Sequence, residues 1–63
     1  MSCFALLKGG RIGVYDTFKE AMHRVSKKSL KEKTYHIKEY IYRPDAEQDV
    51  ADELYDRRYK HKQ

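Results

Sequence analysis

Two short segments rich in apolar residues, separated by a glycine pair, occupy the first fifteen residues, which is a pattern of two β-strands. One strand is predicted from Ser2 to Lys8 and a second from Arg11 to Tyr15. Gly9-Gly10 stands between them, and glycine at both central positions permits the positive φ angles of a two-residue type I′ turn. Gly13 lies inside the second strand, where a glycine weakens the strand unless another group approaches closely. The pattern therefore predicts a β-hairpin with a tight turn at the glycine pair.

A helix is predicted after the hairpin, because Thr17 and Glu20 have the spacing of a capping box. Apolar side chains then recur at positions i, i+3, i+4 and i+7, which gives one apolar stripe made of Phe18, Ala21, Met22 and Val25. The pattern ends at Ser26. The lysine-rich run from Lys27 to Lys33 is expected to be a frayed helix end followed by a basic loop.

A third strand is predicted from Thr34 to Arg43, since this run is rich in β-branched and aromatic residues. Alternation places Tyr35, Ile37 and Ile41 on one face, and His36, Lys38, Tyr40 and Tyr42 on the other. The residues that we expect to be substantially buried are Ile12, Val14, Phe18, Met22, Val25, Ile37 and Ile41. Among them, Phe18 is expected to be half-buried at the edge of the helical stripe.

Pro44 ends this strand, and a second helix is predicted from Asp45 to about Arg58, with Asp45 and Gln48 as a second capping box. Acidic residues in its first half suit the helix dipole, as do the cations of its last turns, Arg57, Arg58, Lys60 and Lys62. The apolar stripe of Ala46, Val50 and Leu54 is narrow, so the helix has to dock in order to persist. We expect it to dock on the strand face that carries Tyr40 and Tyr42. The alternative is a helix that projects away and leaves this face open.

The predicted order is β-β-α-β-α, an α+β fold with a three-stranded antiparallel-type sheet, one helix packed on it and a C-terminal helix. A chain of 63 residues has room for a single domain, here a ββαβ core over residues 1–43 and a C-terminal helix over residues 45–62. The lone cysteine, Cys3, excludes an internal disulfide, which favours a cytoplasmic or nuclear protein. The longest apolar run, Cys3 to Leu7, is too short to span a membrane.

Charge is unevenly distributed along the chain. Residues 1–44 hold ten Lys/Arg and four Asp/Glu, a net charge of +6, and residues 45–63 hold four and six, a net charge of −2, which together give the overall +4. A basic body beside an acidic helix indicates where a polyanion would bind. Lysines also interleave with aromatic residues, a mixture that suits phosphate contacts and stacking on bases or sugars. The candidates are Lys8, Arg11, Lys27, Lys28 and Lys38, with Tyr40 and Tyr42 as stacking residues.

A simpler interpretation has equal weight at this point. Small domains carry lysine for solubility, and tyrosines on an outer strand face are often covered by a helix. The three histidines are scattered and one cysteine is present, so we expect no metal site, no cofactor and no catalytic centre. The sequence thus favours a binding module over an enzyme.

The run from Phe4 to Ala21 combines an aromatic-led strand, a basic turn with glycines, the tripeptide Gly13-Val14-Tyr15 and the segment Thr17-Phe18-Lys19-Glu20-Ala21. Together with the helix that continues to Val25, it resembles the N-terminal hybrid-binding domain of eukaryotic ribonuclease H and the related viroplasmin module of caulimoviruses. The resemblance implies binding of RNA/DNA hybrids or double-stranded RNA. It implies contact with a DNA-strand sugar for Phe18, which stands where the family has tryptophan, and a basic edge at Lys8 and Arg11.

Non-catalytic binding of nucleic acid is therefore our first functional prediction. The alternative is a small viral or phage accessory protein that binds a host or virion protein. Its contact surface would be the tyrosine face of the third strand or the acidic helix, through Asp49, Val50, Glu53, Leu54 and Tyr55. A third possibility is a homodimer that covers an open sheet face with a second copy.

Overall fold

A three-stranded antiparallel sheet with three helices forms this α+β domain, a computed structural model that describes residues 2–60 and the side chains of residues 2–56. The elements in chain order are β1 (Cys3–Lys8), β2 (Gly13–Tyr15), α1 (Phe18–His23), α2 (Lys27–Glu32), β3 (His36–Tyr40) and α3 (Arg43–Lys60). The predicted fold class is confirmed, with one helix more than the sequence indicated.

Strand β1 lies at the centre of the sheet, in the order β2-β1-β3. Ala5 pairs with Val14 of β2 and with Lys38 of β3. Since paired residues in an antiparallel sheet share a face, Ala5, Val14 and Lys38 lie on one face of the sheet. Leu6 and Ile37, which pair with each other, lie on the other face. We call these the α3 face and the α1 face, after the helices that pack on them.

The hairpin of β1 and β2 forms as predicted, but its tight turn does not. Strand β2 begins at Gly13, so the connection from β1 spans residues 9–12. Gly9 has a φ of 91°, whereas Gly10 has no positive φ and cannot supply the second position of a type I′ turn. The reason is that Gly10 forms an isolated antiparallel bridge with Val25 instead.

The cap of α1 is confirmed, because the backbone N–H of Glu20 donates to the Thr17 hydroxyl over 3.1 Å. The expected basic loop after it is wrong, since residues 27–32 form α2. Ser26 caps this helix by accepting from the backbone N–H of Ser29 over 3.2 Å, and Lys33 ends it with a left-handed φ of 57°. Five of the six residues of α2 are Lys, Leu or Glu, which are good helix formers, and the Ser26 cap lets them continue the chain as a second short helix.

Helix α3 begins at Arg43 rather than at Asp45. Pro44 fits the first turn, where its missing N–H is not needed. The capping box is wrong, because the Asp45 N–H donates to the carbonyl of Tyr42 and the Gln48 amide donates to Asp52. The start of the helix is tied to the end of β2 by a 2.9 Å ion pair between Arg43 and Asp16, and this hydrogen bond raises the pKa of Arg43. The basic last turns predicted at Arg57, Arg58, Lys60 and Lys62 lie outside the described side chains.

The helix docks on the sheet, as expected. On the α3 face, four buried residues form the core: Cys3, Ala5, Tyr40 and Ala46, with Leu7, Val14 and Val50 packed against them. On the α1 face, Leu6 is completely buried, and Ala21 of α1 and Val25, which follows α1, are buried as well.

Most of the predicted buried residues are buried or half-buried, with one clear exception. Val25 is buried, and the half-buried group comprises Ile12, Val14, Met22 and Ile37. Phe18 is 51% exposed, close to the half-buried position expected of it. Ile41 is 74% exposed, so its predicted burial is wrong. Ile41 follows β3, where the chain turns towards α3. Helix α1 packs on β1 and β2, and β3 lies at the opposite edge of the sheet from β2, so α1 does not cover Ile41.

Candidate nucleic-acid interface

The loop between β1 and β2 packs against the junction of α1 and α2 through backbone hydrogen bonds. The N–H of Arg11 donates to the carbonyl of Arg24 over 3.0 Å, and the N–H of Ser26 donates to the carbonyl of Gly9 over 2.9 Å. Two short segments, residues 9–11 and 24–26, are thereby held side by side. Basic residues that are distant in sequence are brought to one end of the domain.

Gly10 allows this contact because it has no side chain. A Cβ atom at this position would lie 2.2 Å from the carbonyl oxygen of Arg24 and 2.8 Å from the Cα of Val25. Both neighbours are backbone atoms, which cannot rotate away. At Gly9, where φ is positive, a Cβ would also meet the backbone of Tyr35 at 2.7 Å. The glycine pair is therefore needed for close approach of three chain segments rather than for a tight turn.

We call this region the basic end. Seven exposed cations and a single carboxylate, Glu32, occur in residues 8–11 and 24–33, a net charge of +6. The cations are Lys8, Arg11, Arg24, Lys27, Lys28, Lys31 and Lys33. Among the side chains that the structure describes, the ion pairs are those that Arg43 makes with Asp16 and Glu47, so the cations of the basic end are left unpaired.

The described part of α3 has the opposite charge. Residues 43–56 carry six Asp/Glu and one Arg, a net charge of −5. The helix covers the α3 face of the sheet. The charge asymmetry of the sequence thus becomes an asymmetry of the folded domain, with a polyanion attracted to the basic end and repelled from α3.

Four of the eight predicted nucleic-acid contacts belong to the basic end: Lys8, Arg11, Lys27 and Lys28. The other four do not. Phe18 lies at the start of α1, with its ring in edge-to-face contact with Phe4 at a centroid distance of 5.9 Å. Tyr42 is 67% exposed at the junction of β3 and α3. Lys38 is exposed on β3, and its Nζ lies 5.2 Å from the ring centroid of Tyr40.

Tyr40 cannot stack on a base, because its ring is buried beneath α3. Its hydroxyl donates a hydrogen bond to Asp49 over 2.5 Å. Burial, followed by this hydrogen bond and the negative charge of Asp49, raises the pKa of Tyr40 to about 12. The prediction of a stacking role for Tyr40 is therefore wrong, and its part is structural: it anchors α3.

The residues of the alternative protein-contact surface are divided between the core and solvent. Asp49 is used by Tyr40, and Val50 packs against the core. Glu53 is half-buried, whereas Leu54 and Tyr55 are 46% and 61% exposed. Leu54 and Tyr55 are therefore exposed to solvent in part, whereas the first half of the helix packs on the sheet.

Three cations of the basic end were not among the predicted contacts, namely Arg24, Lys31 and Lys33. Sequence reasoning treated the glycine pair as a turn, so it had no reason to bring residue 24 towards residue 11. Within residues 2–60, no His, Cys, Asp or Glu side chains cluster in threes as metal ligands would. Across the same residues, no helix combines the length and apolar content that a membrane span requires.

Compared with protein-family models, with curated proteins and with solved structures, the chain has no significant match.

Proposed function

We propose that this protein is a non-catalytic module that binds the sugar-phosphate backbone of double-stranded RNA or of an RNA/DNA hybrid at its basic end. The observation that carries the proposal is the contact between residues 9–11 and 24–26, which brings Lys8 and Arg11 beside Arg24 and the start of the lysine-rich helix α2. Among the described side chains, the seven cations of this end form no ion pair. Unpaired lysines and arginines on a fixed backbone frame can each replace a condensed counterion on a polyanion, which is the main source of affinity in such complexes.

The position of the exposed aromatic rings supports a paired rather than a single-stranded ligand. Single strands are bound by aromatic platforms that alternate with cations. Here Phe18 is separated from the basic end by α1, whose six residues span about 9 Å. Tyr42 lies beyond β3, at the start of α3. The exposed rings of Phe18 and Tyr42 thus lie away from the basic end, and the two rings that lie beside it, Tyr15 next to Arg11 and Tyr35 next to Gly9, are half-buried. This arrangement favours recognition of a duplex by its phosphates and shape.

Binding is best tested by fluorescence anisotropy with labelled duplex RNA, RNA/DNA hybrid, duplex DNA and single strands over a range of salt concentrations. The logarithm of the affinity should fall linearly with the logarithm of the salt concentration, with a slope near −0.9 for each phosphate contacted. The double variant Lys27→Gln/Lys28→Gln should reduce this slope by roughly 2, and by a similar amount on every sequence tested.

Lys19→Gln supplies the control, because Lys19 is also exposed but lies in the first turn of α1, away from the basic end. It should leave the slope nearly unchanged. Affinity that does not respond to salt would exclude phosphate contacts. Equal losses from Lys19→Gln and from a single change at Lys28 would show that net charge, rather than the basic end, governs binding.

A further inference from the structure

The side chain of Tyr15 reaches back along its own strand towards the loop that carries Arg11. Side chains two residues apart lie on the same face of a strand, so Tyr15 and Gly13 share a face of β2. Gly13 has no side chain, and a Cβ atom there would lie 3.5 Å from the Tyr15 hydroxyl oxygen and 3.7 Å from the ring carbon that bears it. The ring therefore lies over Gly13, in space that a side chain larger than that of alanine would fill.

This position brings the Tyr15 hydroxyl to the carbonyl oxygen of Arg11, to which it donates a hydrogen bond over 2.7 Å. The N–H of Arg11 donates in turn to the carbonyl of Arg24 over 3.0 Å. Arg11 precedes β2, which begins at Gly13. Both backbone polar groups of this loop residue are thus bonded, one to the junction of α1 and α2 and the other to the Tyr15 side chain.

The hydrogen bond from Tyr15 matters more for the position of Arg11 than for the stability of the domain. Tyr15 is half-buried, and its hydrogen bond to Arg11 is exposed to solvent. The net contribution of such a bond to stability is small, because water can replace either partner. Its loss would free the backbone of a residue whose charged side chain is exposed, and it would leave the buried core unchanged.

We propose that Tyr15 is a positioning residue of the basic end, which holds Arg11 ready for a phosphate group through the hydrogen bond to the Arg11 carbonyl. This role rests on the proposed binding of nucleic acid. A loop that is already ordered in the free protein loses less freedom on binding, so preorganisation raises affinity. Tyr15 adds no positive charge, so its effect can be separated from that of the cations.

Tyr15→Phe removes the hydroxyl and retains the ring and every cation. In the anisotropy measurement with labelled duplex RNA, the affinity should fall roughly two- to tenfold, the usual effect of one side chain that must be ordered on binding. The salt slope should stay the same, because no charge is lost, whereas Arg11→Gln should reduce it by about 0.9. Tyr42→Phe is the matched control, since Tyr42 is 67% exposed at the junction of β3 and α3, and it should bind like the unaltered chain.

A double-mutant cycle separates positioning from a general loss of structure. In a chain that already carries Arg11→Gln, Tyr15→Phe should cause no further loss of affinity, because Tyr15 acts through Arg11. Hydrogen exchange supplies a second readout that needs no nucleic acid. The amide of Arg11 should lose protection in Tyr15→Phe, while the amides of β1 should retain theirs.

Equal losses from Tyr15→Phe with and without Arg11 would overturn the positioning role, since the effect would then not pass through Arg11. Unchanged protection of the Arg11 amide in Tyr15→Phe would also overturn it, and the proposed nucleic-acid binding would still stand. Binding by the unaltered chain that does not respond to salt would overturn the proposed function and the positioning role together. The failure of the positioning role alone is thus distinguishable from the failure of the proposed function.

Discussion

The hydroxyl of Tyr40 donates a 2.5 Å hydrogen bond to a carboxylate oxygen of Asp49, which joins the last residue of β3 to the second turn of α3. The ring of Tyr40 lies against Cys3, Ala5 and Ala46 in the core. One side chain therefore supplies both apolar packing and a polar anchor for the C-terminal helix. This arrangement makes the titration of Tyr40 a direct reporter of helix docking.

In the folded protein, Tyr40 should ionise at a higher pH than an unperturbed tyrosine. Its pKa in the folded state is about 12, compared with 10.0 for an unperturbed tyrosine. Stability from this group is fully present below pH 10 and is lost as the pH rises towards 12, because the unfolded chain ionises first. The loss amounts to about 3 kcal/mol at most, because each tenfold difference in acidity between the folded and unfolded states corresponds to about 1.4 kcal/mol. Absorbance of tyrosinate during an alkaline titration, followed alongside urea unfolding, measures both quantities.

Tyr40→Phe keeps the ring in the core and removes the hydroxyl. The tyrosinate step with the raised pKa should disappear from the titration, and stability at neutral pH should fall by about 0.5–1.5 kcal/mol. Tyr42→Phe is the control, since Tyr42 is exposed. If the late ionisation persists in Tyr40→Phe, another tyrosine is the buried one.

The two glycines on either side of Ile12 should respond in opposite ways to alanine. Gly10→Ala forces a Cβ against the backbone of Arg24 and Val25, and the distances of 2.2 and 2.8 Å require the segments to separate. We expect a loss of at least about 2 kcal/mol, at the upper end of the range for overpacking. At Gly13 the nearest atom is the hydroxyl oxygen of Tyr15 at 3.5 Å, an ordinary van der Waals contact.

Gly13→Ala should therefore be neutral or stabilise the protein by up to about 1 kcal/mol, through loss of freedom in the unfolded chain. Urea unfolding of both variants gives the comparison. A similar loss in the two would mean that the contact between residues 9–11 and 24–26 does not form. Gly10→Ala should also weaken nucleic-acid binding, because Arg11 and Arg24 would no longer be held together.

Local patterns in the sequence correctly predicted the secondary-structure elements that depend mainly on interactions between neighbouring residues. The apolar run of β1 and the Thr17 cap could be recognised from neighbouring residues alone, and both the strand and the cap are present. The docking of α3 was also predicted, because a narrow stripe of Ala46 and Val50 is too weak for an isolated helix. What could not be predicted depended on contacts between distant segments. The glycine pair was interpreted as a turn, because no residue near Gly10 in the sequence indicates that its backbone pairs with the backbone of Val25.

The candidate site was predicted in part for the same reason. Composition was enough to predict four cations of the basic end, because lysine and arginine side chains are exposed in almost any fold. These four are Lys8, Arg11, Lys27 and Lys28. Tyr40 was misassigned because alternation gives the face of a strand but not what covers that face. Pro44 was expected to precede the helix, yet a proline is equally suited to its first turn, so the sequence alone left the start of α3 open.

Thr17→Ala should destabilise the protein by about 1 kcal/mol, within the usual range for loss of an N-cap. The Thr17 hydroxyl accepts from the N–H of Glu20, which otherwise has no partner inside a helix of six residues. Thermal unfolding measures the change. Thr17→Ser retains the hydroxyl and should retain most of the stability, whereas equal losses in the two variants would place the effect in the methyl group rather than in the cap.

Helix α3 should be an integral part of the folded domain rather than a detachable arm. Ala46 is completely buried in the core cluster, whereas Ala51, on the same helix, is exposed. Ala46→Arg places a charge and a long side chain where there is no space, and the expected loss exceeds about 4 kcal/mol, enough to unfold a marginal domain. Ala51→Arg has the same composition and helix propensity but should change stability by no more than about 0.5 kcal/mol.

Far-ultraviolet circular dichroism and urea unfolding distinguish the two outcomes. If α3 is integral, Ala46→Arg should lose the strand signal together with the helix signal, because Cys3, Ala5 and Tyr40 would be exposed at the same time. Deletion of residues 45–63 should unfold the chain for the same reason. If either protein instead keeps a folded sheet while losing only helix content, α3 is an arm. The α3 face, including Lys38 and Tyr40, would then become available to a nucleic acid, and the interface would have to be extended beyond the basic end.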